Sequence, residues 1–426
     1  MEKKDLGIGY IPIQMLRDGV TDFDVVSESM HHLKLEMLEE GTFSFDRYTK
    51  MGSDIASTVM SPKAEDRECI LWCINHYLGF NRHPSVIKAA KDAVEKFGTG
   101  SGTSSMSGGR SSLHRLLEER IANLLGKEGV ILYSTGYTAN LSVLASLPGA
   151  NDLIIADDEV HASIRDGMKF SGRRKMFFKH NDVHDLERLL KKHTGKYEHI
   201  FVVVESAYSM SGDLAPLREI AFLKKKYEFL LYLDEAHTFG FYGDQGKGYA
   251  AEQGVLADVD LFMSTLSKST AAIGGFVALK EKYKTYLSFK STAYLFQASF
   301  SPVTAATIHA ALDLIQYQPG HALQLHRNNQ YMRQELEAIG FNLRQSASPI
   351  IPIYIADVQV LTAFSRDLFL SGIYTITIIY PAVPPQEGRI RFIVSASHTK
   401  EQMDKTLHVL NNLAQKYRLF GQTAAT

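Results

Sequence analysis

The chain has 426 residues, 45% of them hydrophobic and 22% charged, and 46 basic and 47 acidic side chains leave a net charge of −1. These values are typical of a globular protein of roughly two or three domains, and they lack the basic surplus of a strong nucleic-acid binder. The only cysteines, Cys69 and Cys73, are too few for a disulfide scaffold or a zinc site, so we expect a reducing cytoplasm. No apolar run has the length of a membrane span or a signal-peptide core, so no transmembrane segment is expected.

Residues 1–65 are predicted to form an N-terminal extension that contains one helix. The segment Thr21–Gly41 has an early acidic turn and a closing glycine, as helices often do. Further along, apolar residues recur at helical spacing in His83–Gly98 and Ser111–Gly126.

Short apolar segments then alternate with helical ones, which predicts an α/β domain with a mostly parallel sheet covered on both faces. The predicted strands are Gly129–Tyr133, Leu153–Ala156, Met176–Phe178, Ile200–Val204, Phe229–Leu233 and Leu261–Ser264. After about residue 315 the pattern changes to helix, alternating strands at Ser348–Asp357 and Gly388–Ser397, and a last helix. We therefore predict a large domain at 66–315 and a smaller α+β domain at 316–426.

The stretch "LLYLDEAHTFG" (Leu230–Gly240) contains the four letters that name a class of nucleic-acid helicases. Such a motor also needs a phosphate loop, GxxxxGK followed by Ser or Thr. In the nearest string, "GDQGKG", Phe241 replaces the first glycine and Gly248 replaces the hydroxyl residue. It also follows the acid-bearing strand instead of preceding it, so the motor interpretation fails.

Lys268 offers a different chemistry, because it lies among small hydroxylic residues directly after a buried-looking strand. A lysine amine forms a Schiff base with an aldehyde cofactor such as pyridoxal phosphate (PLP). That cofactor also needs a carboxylate at its ring nitrogen, which Asp234 can supply, and phosphate donors. A glycine turn before a helix, as in "YSTGYTAN" (Tyr133–Asn140), is suited to phosphate.

Together these strings resemble the α-oxoamine synthases, which are fold-type I PLP-dependent transferases. The resemblance covers nearly all of residues 70–415 and implies a large PLP-binding domain with a mostly parallel sheet plus a smaller C-terminal α+β domain. It is carried, in order, by "NHYLGF", "STGYTAN", "HASIRDG", "KHND", "ESAYSMSGDLAPL", "LDEAHTFGFYGDQGKG", "STLSKS", "YLFQASFSP" and "RIRFIVSASHT".

The resemblance implies roles for residues around the cofactor ring. Lys268 matches the Schiff-base lysine that also moves the Cα proton, and Asp234 matches the partner of the ring nitrogen. His237 matches a contact to the phenolic oxygen, and His161 matches the histidine stacked on the ring. Ser209 matches a serine close to the cofactor.

The phosphate group has its own implied residues. Gly136 and Tyr137 match the phosphate-binding turn, and Thr265 matches a further donor. Gln297 and Ala298 match positions that the second subunit contributes, so a homodimer with shared active sites is implied.

Three positions match the substrate side, namely Asn75, Ser104 and Arg391, the last of which meets the amino-acid carboxylate in the family. Arg389 is on the same face of its strand, and its interpretation as a structural ion-pair partner stays open. Ser105 stands where the family often has arginine, so the substrate contacts there are in doubt.

The resemblance implies a decarboxylative condensation of an amino acid with acyl-CoA or acyl carrier protein, giving a 2-amino ketone. Oxononanoate synthases commonly have arginine where Tyr380 stands, which argues against a pimeloyl substrate. We predict L-serine and a long-chain acyl thioester, as in bacterial serine palmitoyltransferases of sphingolipid biosynthesis. Cysteate acyltransferase and glycine C-acetyltransferase (2-amino-3-ketobutyrate CoA ligase) stay open as alternatives. A catalytically inactive partner subunit is disfavoured because such a subunit is expected to lack Lys268.

Overall fold

The computed structural model describes residues 15, 19–42, 46–61, 64–380 and 382–419. They fall into two compact units. The central unit contains Leu78–Ser209 and Asp213–Gln324, and the terminal unit contains the described residues up to Tyr77, Met210–Gly212 and those from Leu325 onward. This division differs from the predicted domains, because the N-terminal residues form one unit with the C-terminal ones. Within the terminal unit, a pairing joins strands that are far apart in the sequence.

The central unit is built on a seven-stranded sheet. Its strands are β4 Gly129–Tyr133, β5 Leu153–Asp157, β6 Arg174–Phe178, β7 Ile200–Glu205, β8 Leu230–Asp234, β9 Leu261–Thr265 and β10 Gly275–Leu279. Their order is β4-β10-β9-β8-β7-β5-β6. Only β10 of these seven runs against its neighbours, so the mostly parallel sheet is confirmed.

The burial of these strands explains why their sequences are continuously apolar. Every residue of β4, β5, β7, β9 and β10 is buried, as expected for a sheet covered on both faces. The edge strand β6 instead begins with exposed Arg174 and Lys175, which discourage pairing with another chain.

The terminal unit contains two smaller sheets. One has the order β1-β2-β3-β12, with β1 Tyr48–Thr49, β2 Ala56–Ser61, β3 Ala64–Leu71 and β12 Ile373–Tyr374. The other has the order β11-β14-β13, with β11 Ile350–Tyr354, β13 Ile376–Ile378 and β14 Arg389–Ile393. The parallel pair of Ile373 with Ile70 joins the two ends of the chain, and this is the pairing that the sequence pattern did not reveal.

Helices connect and cover the sheets, and most predicted helices are present. They are α1 Phe23–Glu39, α2 Pro84–Phe97, α3 Ser112–Leu125, α4 Gly136–Ser146, α5 Ala162–Phe170, α6 Val183–His193, α7 Leu217–Lys226, α8 Tyr249–Glu252, α9 Glu281–Lys290, α10 Thr292–Phe296, α11 Pro302–Tyr317, α12 Gly320–Ile339, α13 Val358–Leu370 and α14 Lys400–Lys416. Within the described part of the chain, no helix is long and apolar enough to cross a membrane.

Candidate active site

The carboxyl ends of the central strands surround an open cavity of about 330 Å³. This is the edge of an α/β sheet at which ligands bind, because the loops after the parallel strands meet there. Seven of the residues predicted from the sequence line it, namely Gly136, Tyr137, His161, Asp234, His237, Thr265 and Lys268. The fold thus brings together side chains that are up to 132 residues apart.

Asp234 is the last residue of β8 and is buried. One carboxylate oxygen accepts a hydrogen bond from the Asn140 side-chain amide at 2.7 Å, and the other accepts the Ala236 amide at 2.9 Å. The Tyr232 hydroxyl donates to the Asn140 oxygen at 2.7 Å, which fixes which end of that amide faces Asp234. These two donors hold the carboxylate in one orientation at the edge of the cavity.

Lys268 lines the same cavity as Asp234. Its Nζ is 2.9 Å from Nε2 of His237, which is itself buried. The loop that carries Lys268 is held at its base, where the Thr265 hydroxyl donates to the Gly274 carbonyl at 3.1 Å and accepts the Ser267 amide at 3.3 Å. The lysine is therefore placed by a structured turn directly after β9.

Two glycines allow the backbone to approach closely beside the start of α4. A Cβ on Gly136 would lie 2.6 Å from Cβ of Thr265, and a Cβ on Gly275 would lie 2.6 Å from the Thr135 carbonyl oxygen. The side chain of Thr135 caps the helix by accepting the Thr138 amide at 3.0 Å. The first amides of α4 form a site suited to an anion, and the Thr265 side chain lies against them.

His161 follows β5 and begins α5. Its Nδ1 accepts the Ser163 amide at 3.2 Å, so the neutral ring carries its proton on Nε2. The Tyr137 ring meets the His161 ring edge-on with 6.1 Å between centroids, and its hydroxyl donates to Asp166.

Glu205 ends β7 and is paired in register with Asp234 on the adjacent strand. Its carboxylate accepts the His161 amide. Burial, and then the charge of Asp234, raise the pKa of Glu205 well above its ordinary range. The nearby acid and the burial thus both disfavour the charged form of Glu205.

Four other predicted residues of the central unit do not line this cavity. Ser209 is buried in the loop after β7. Gln297 and Ala298 are exposed and border a separate, smaller pocket with Ser105. Ser104 forms an antiparallel bridge with Ala298.

The two remaining substrate-side predictions lie in the terminal unit. Arg391 is buried in β14, and burial lowers its pKa. The side-chain oxygen of Asn75 is buried and has no hydrogen-bond partner among the described residues. Arg389 donates to the Met210 carbonyl at 3.2 Å and stacks on Tyr354, and these contacts agree with the structural interpretation of this arginine.

Comparisons with known proteins give the family. A family model described as "Aminotransferase class I and II" matches residues 67–410. The chain is 32% identical over 402 residues to an 8-amino-7-oxononanoate synthase from Thermoanaerobacter pseudethanolicus, covering 94% of this chain and 99% of that protein.

Solved serine palmitoyltransferases are similar in structure over almost the whole chain. A single-residue variant of the one from S. paucimobilis, solved with a bound PLP–myriocin aldimine, has a TM-score of 0.88 at 28% identity and covers 93% of this chain and 100% of its own. The one from Sphingomonas wittichii has a TM-score of 0.87 at 30% identity, with 94% and 99% covered. The chain belongs to the α-oxoamine synthases. The predicted family, the fold-type I architecture, PLP as cofactor and C-acyltransferase chemistry are thereby confirmed.

The cavity residues that sequence reasoning about this α-oxoamine synthase missed include Asn140, Ser163 and Glu205. Glu205 carried the same signal as Asp234, an acid at the end of an apolar strand, and could have been found by that rule. Asn140 lay inside a quoted string, but its contact with Asp234 joins positions 94 residues apart. Nothing in the sequence indicates that contact.

Proposed function

We propose that this enzyme condenses L-serine with a long-chain acyl thioester, releasing carbon dioxide and a 2-amino ketone, as in a sphingolipid-type synthesis. The observation that carries the proposal is the similarity to solved serine palmitoyltransferases over 93–94% of the chain. Tyr380 adds support, because an acyl group ending in a carboxylate would call for a cation at that position.

The cavity fits PLP by the character of its groups. Asp234 offers a buried carboxylate held by amide donors, which suits a cationic ring nitrogen. The start of α4 suits a phosphate, with the hydroxyls of Thr265 and Ser267 beside it, and the absent Cβ of Gly136 lets this helix start lie against Thr265. Lys268 provides the amine that the aldehyde requires.

When bound, PLP supplies an electron sink for negative charge at the amino acid's Cα. The protein's own groups then place protons. We assign the removal and return of the Cα proton to Nζ of Lys268, which His237 orients from 2.9 Å. His161, with its proton on Nε2, can donate a hydrogen bond to a substrate oxygen. Arg391 has the planar donor pair that suits the amino-acid carboxylate.

A second candidate function is supported by the sequence relatives. Several of them, 32–36% identical, are named 8-amino-7-oxononanoate synthase. The carbon skeleton in that name is what alanine and a seven-carbon dicarboxylic acyl group would give on decarboxylative condensation. The two candidates therefore differ in the amino acid and in the far end of the acyl chain.

A substrate panel tests the proposal. Purified enzyme with PLP is offered serine, alanine, glycine, cysteate or threonine, together with acyl-CoA of varied length or pimeloyl-CoA, and thiol release and product mass are measured. Serine with a long monocarboxylic acyl-CoA should give the highest kcat/KM. A preference for alanine with pimeloyl-CoA would replace the first candidate with the second. Repeating the best pair with the acyl carrier protein thioester identifies the natural carrier.

The variant Tyr380→Arg sharpens the choice. If this position faces the end of the acyl chain, the new cation should raise kcat/KM for pimeloyl-CoA about tenfold relative to palmitoyl-CoA. A change of that size is expected from one favourable charge contact that is partly exposed to solvent. Tyr380→Phe is the matched control and should leave the ratio unchanged. An equal effect of both variants would remove the argument from Tyr380.

We also propose that the enzyme is a homodimer whose subunits complete each other's phosphate site. Gln297 and Ala298 are exposed and do not line the cavity of their own chain, as expected of residues that serve a partner. Sedimentation measures the assembly. Mixing Lys268→Ala subunits with Gln297→Arg subunits should restore activity, because one mixed site has both residues intact. Two inactive parents that stay inactive when mixed would count against shared sites.

A further inference from the structure

His180 lies between two buried acids near the carboxyl edge of the central sheet. It is the second residue after β6. Its Nδ1 is 2.9 Å from an Asp157 oxygen, and its Nε2 is 2.6 Å from an Asp213 oxygen. Asp157 ends β5, and Asp213 follows the loop after β7. The Tyr208 ring packs edge-on against the imidazole with 4.4 Å between centroids.

Hydrogen-bond chemistry fixes the charge of this histidine. A carboxylate only accepts, so both ring nitrogens must donate, and only the doubly protonated imidazolium can do so. Burial alone would lower the pKa of His180, but its hydrogen bonds to Asp157 and Asp213 outweigh burial and raise the pKa to about 10. Glu159, 3.8 Å from Nε2, adds a further negative group. The result is a cation held between two anions.

Asn181 reinforces the same connection. Its backbone amide donates to the Asp157 carboxylate at 2.8 Å, and its side-chain amide donates to the Asp213 carboxylate at 3.0 Å. The backbone takes a φ of 52° to make both contacts, a left-handed conformation that asparagine tolerates better than most residues. The pair His180–Asn181 thus ties the end of β5 to the segment at Asp213.

Both ends of this connection lead to segments with proposed cofactor residues. On one side, the Asp157 carboxylate accepts the Glu159 amide at 2.8 Å and so shapes the turn that delivers His161. On the other side, Asp213 closes the base of the loop that carries Ser209. There its carbonyl accepts the Tyr208 amide at 3.1 Å, and Ala207 bridges Leu214. His161 lies in the turn between β5 and α5, and Ser209 lies in the loop after β7, so neither is inside a strand or helix.

We propose that His180 is a positioning residue for the reaction, a cationic clamp that holds the His161 turn and the Ser209 loop in place through Asp157 and Asp213. The inference rests on the proposed cofactor roles of His161 and Ser209, but not on the identity of the acyl substrate. It assigns a role to His180 and Asn181 of the "KHND" string and to Asp213 of the "ESAYSMSGDLAPL" string.

Two variants break the clamp at different points, and a third variant serves as the control. His180→Gln removes the cation, and Asp213→Asn removes one anion while leaving the contact with Asp157. His199→Gln is the matched control for His180→Gln. His199 also contacts a buried acid, Asp152, at 3.1 Å, but it lies directly before β7, at the opposite edge of the sheet. Hydrogen exchange is measured by peptide mass in cofactor-free protein, and PLP affinity and kcat/KM are measured on each variant.

The clamp predicts localised effects. In His180→Gln and Asp213→Asn, exchange should accelerate in peptides 157–162 and 206–215 but not in β8 or β9. PLP affinity should weaken, and kcat/KM should fall about 100-fold, the cost of displacing catalytic groups by about 1 Å. The double variant should be no worse than the more severe single one, because both remove the same connection.

Other results would overturn the inference. Unchanged exchange in both segments, or acceleration spread evenly over the sheet, would make His180 only a stabilising residue. Normal PLP affinity and kcat/KM in both variants would do the same. Because exchange is read without any substrate, a wrong choice of acyl thioester in the proposed function leaves this test intact.

Discussion

The two edges of the central sheet carry the same residue types and use them differently. At the amino edge, Asp152 accepts the His199 amide at 2.9 Å and the Gly149 amide at 2.7 Å. Asp260, in the same position before β9, accepts the Leu231 amide at 2.7 Å and pairs with Lys224. Each of these acids ties the start of its own strand to the start of the neighbouring strand. At the carboxyl edge, Asp234 and Glu205 face a cavity that also holds a lysine and two histidines.

The difference teaches that a buried acid becomes functional through what surrounds it. Both sets of carboxylates have amide donors, so neither is left without hydrogen bonds. At the carboxyl edge, the loops after β4, β5, β7, β8 and β9 surround open space, because parallel strands present their carboxyl ends together. The amino edge therefore provides a matched control for each substitution at the active site.

The largest contrast is between two lysines. Lys268→Ala should lower kcat at least about 1,000-fold, because it removes both the covalent partner of PLP and the proposed proton carrier. Lys224→Ala, at the amino edge, should leave kcat unchanged. Turnover is measured by thiol release, and borohydride reduction followed by peptide mass locates the cofactor. Turnover retained by Lys268→Ala would show that another lysine has this role.

The next contrast compares two aspartates. Asp234→Asn keeps the shape and an acceptor for Asn140 but removes the charge, so kcat/KM should fall about 100-fold, comparable to the loss of one preorganised electrostatic group. Exchange of the amino acid's Cα proton with D₂O should slow in parallel. Asp152→Asn is the control. Equal kcat/KM values for the two variants would mean that the charge of Asp234 does not contribute to catalysis.

The histidines give a contrast that depends on pH. The pKa of His180 is raised to about 10 in the folded protein, against about 6.5 in an unfolded chain. Its stabilisation is therefore complete below about pH 6.5, declines as pH rises, and is lost above about pH 10. In urea unfolding, His180→Gln should cost about 3 kcal/mol at pH 6 and progressively less toward pH 10. A cost that grows with pH would contradict the imidazolium assignment.

Two glycines test the importance of close approach. Gly136→Ala would place a Cβ 2.6 Å from Cβ of Thr265, and such overpacking costs about 1–3 kcal/mol. PLP affinity should fall accordingly, by about tenfold or more. In Gly149→Ala the nearest atom is an Asp152 oxygen at 3.4 Å, an ordinary contact. Equilibrium dialysis compares PLP binding by the two variants. Equal PLP affinity would show that the turn before α4 accommodates a Cβ at position 136 without disturbing the PLP site.

The smallest effect is expected at His199, whose side chain is 59% exposed. Solvent screens its contact with Asp152, so His199→Gln should change the free energy of unfolding by less than about 1 kcal/mol. Its kcat/KM should stay at the wild-type value. A kcat/KM clearly below the wild-type value would show that substitutions at the amino edge are not suitable controls for those at the active site.

Much of the central unit could be predicted from sequence because its signals are local. Five-residue apolar strands, a capped helix after "STG" and an acid at a strand end each occupy one short stretch. The terminal unit depends on distant pairing, as between Ile70 and Ile373, and no local pattern encodes such a contact. The same reason explains why Lys268 and Asp234 were predicted, whereas the hydrogen bond from Asn140 to Asp234 was not.

The pairing of β3 with β12 also bears on synthesis at the ribosome. The segment that forms β3 emerges early, but its parallel neighbour leaves the exit tunnel only after the whole central unit has been made. During that interval one side of β3 exposes unpaired backbone groups, a surface on which nascent chains associate wrongly. We therefore expect this chain to depend on holdase chaperones during translation more than a protein whose domains are contiguous in sequence.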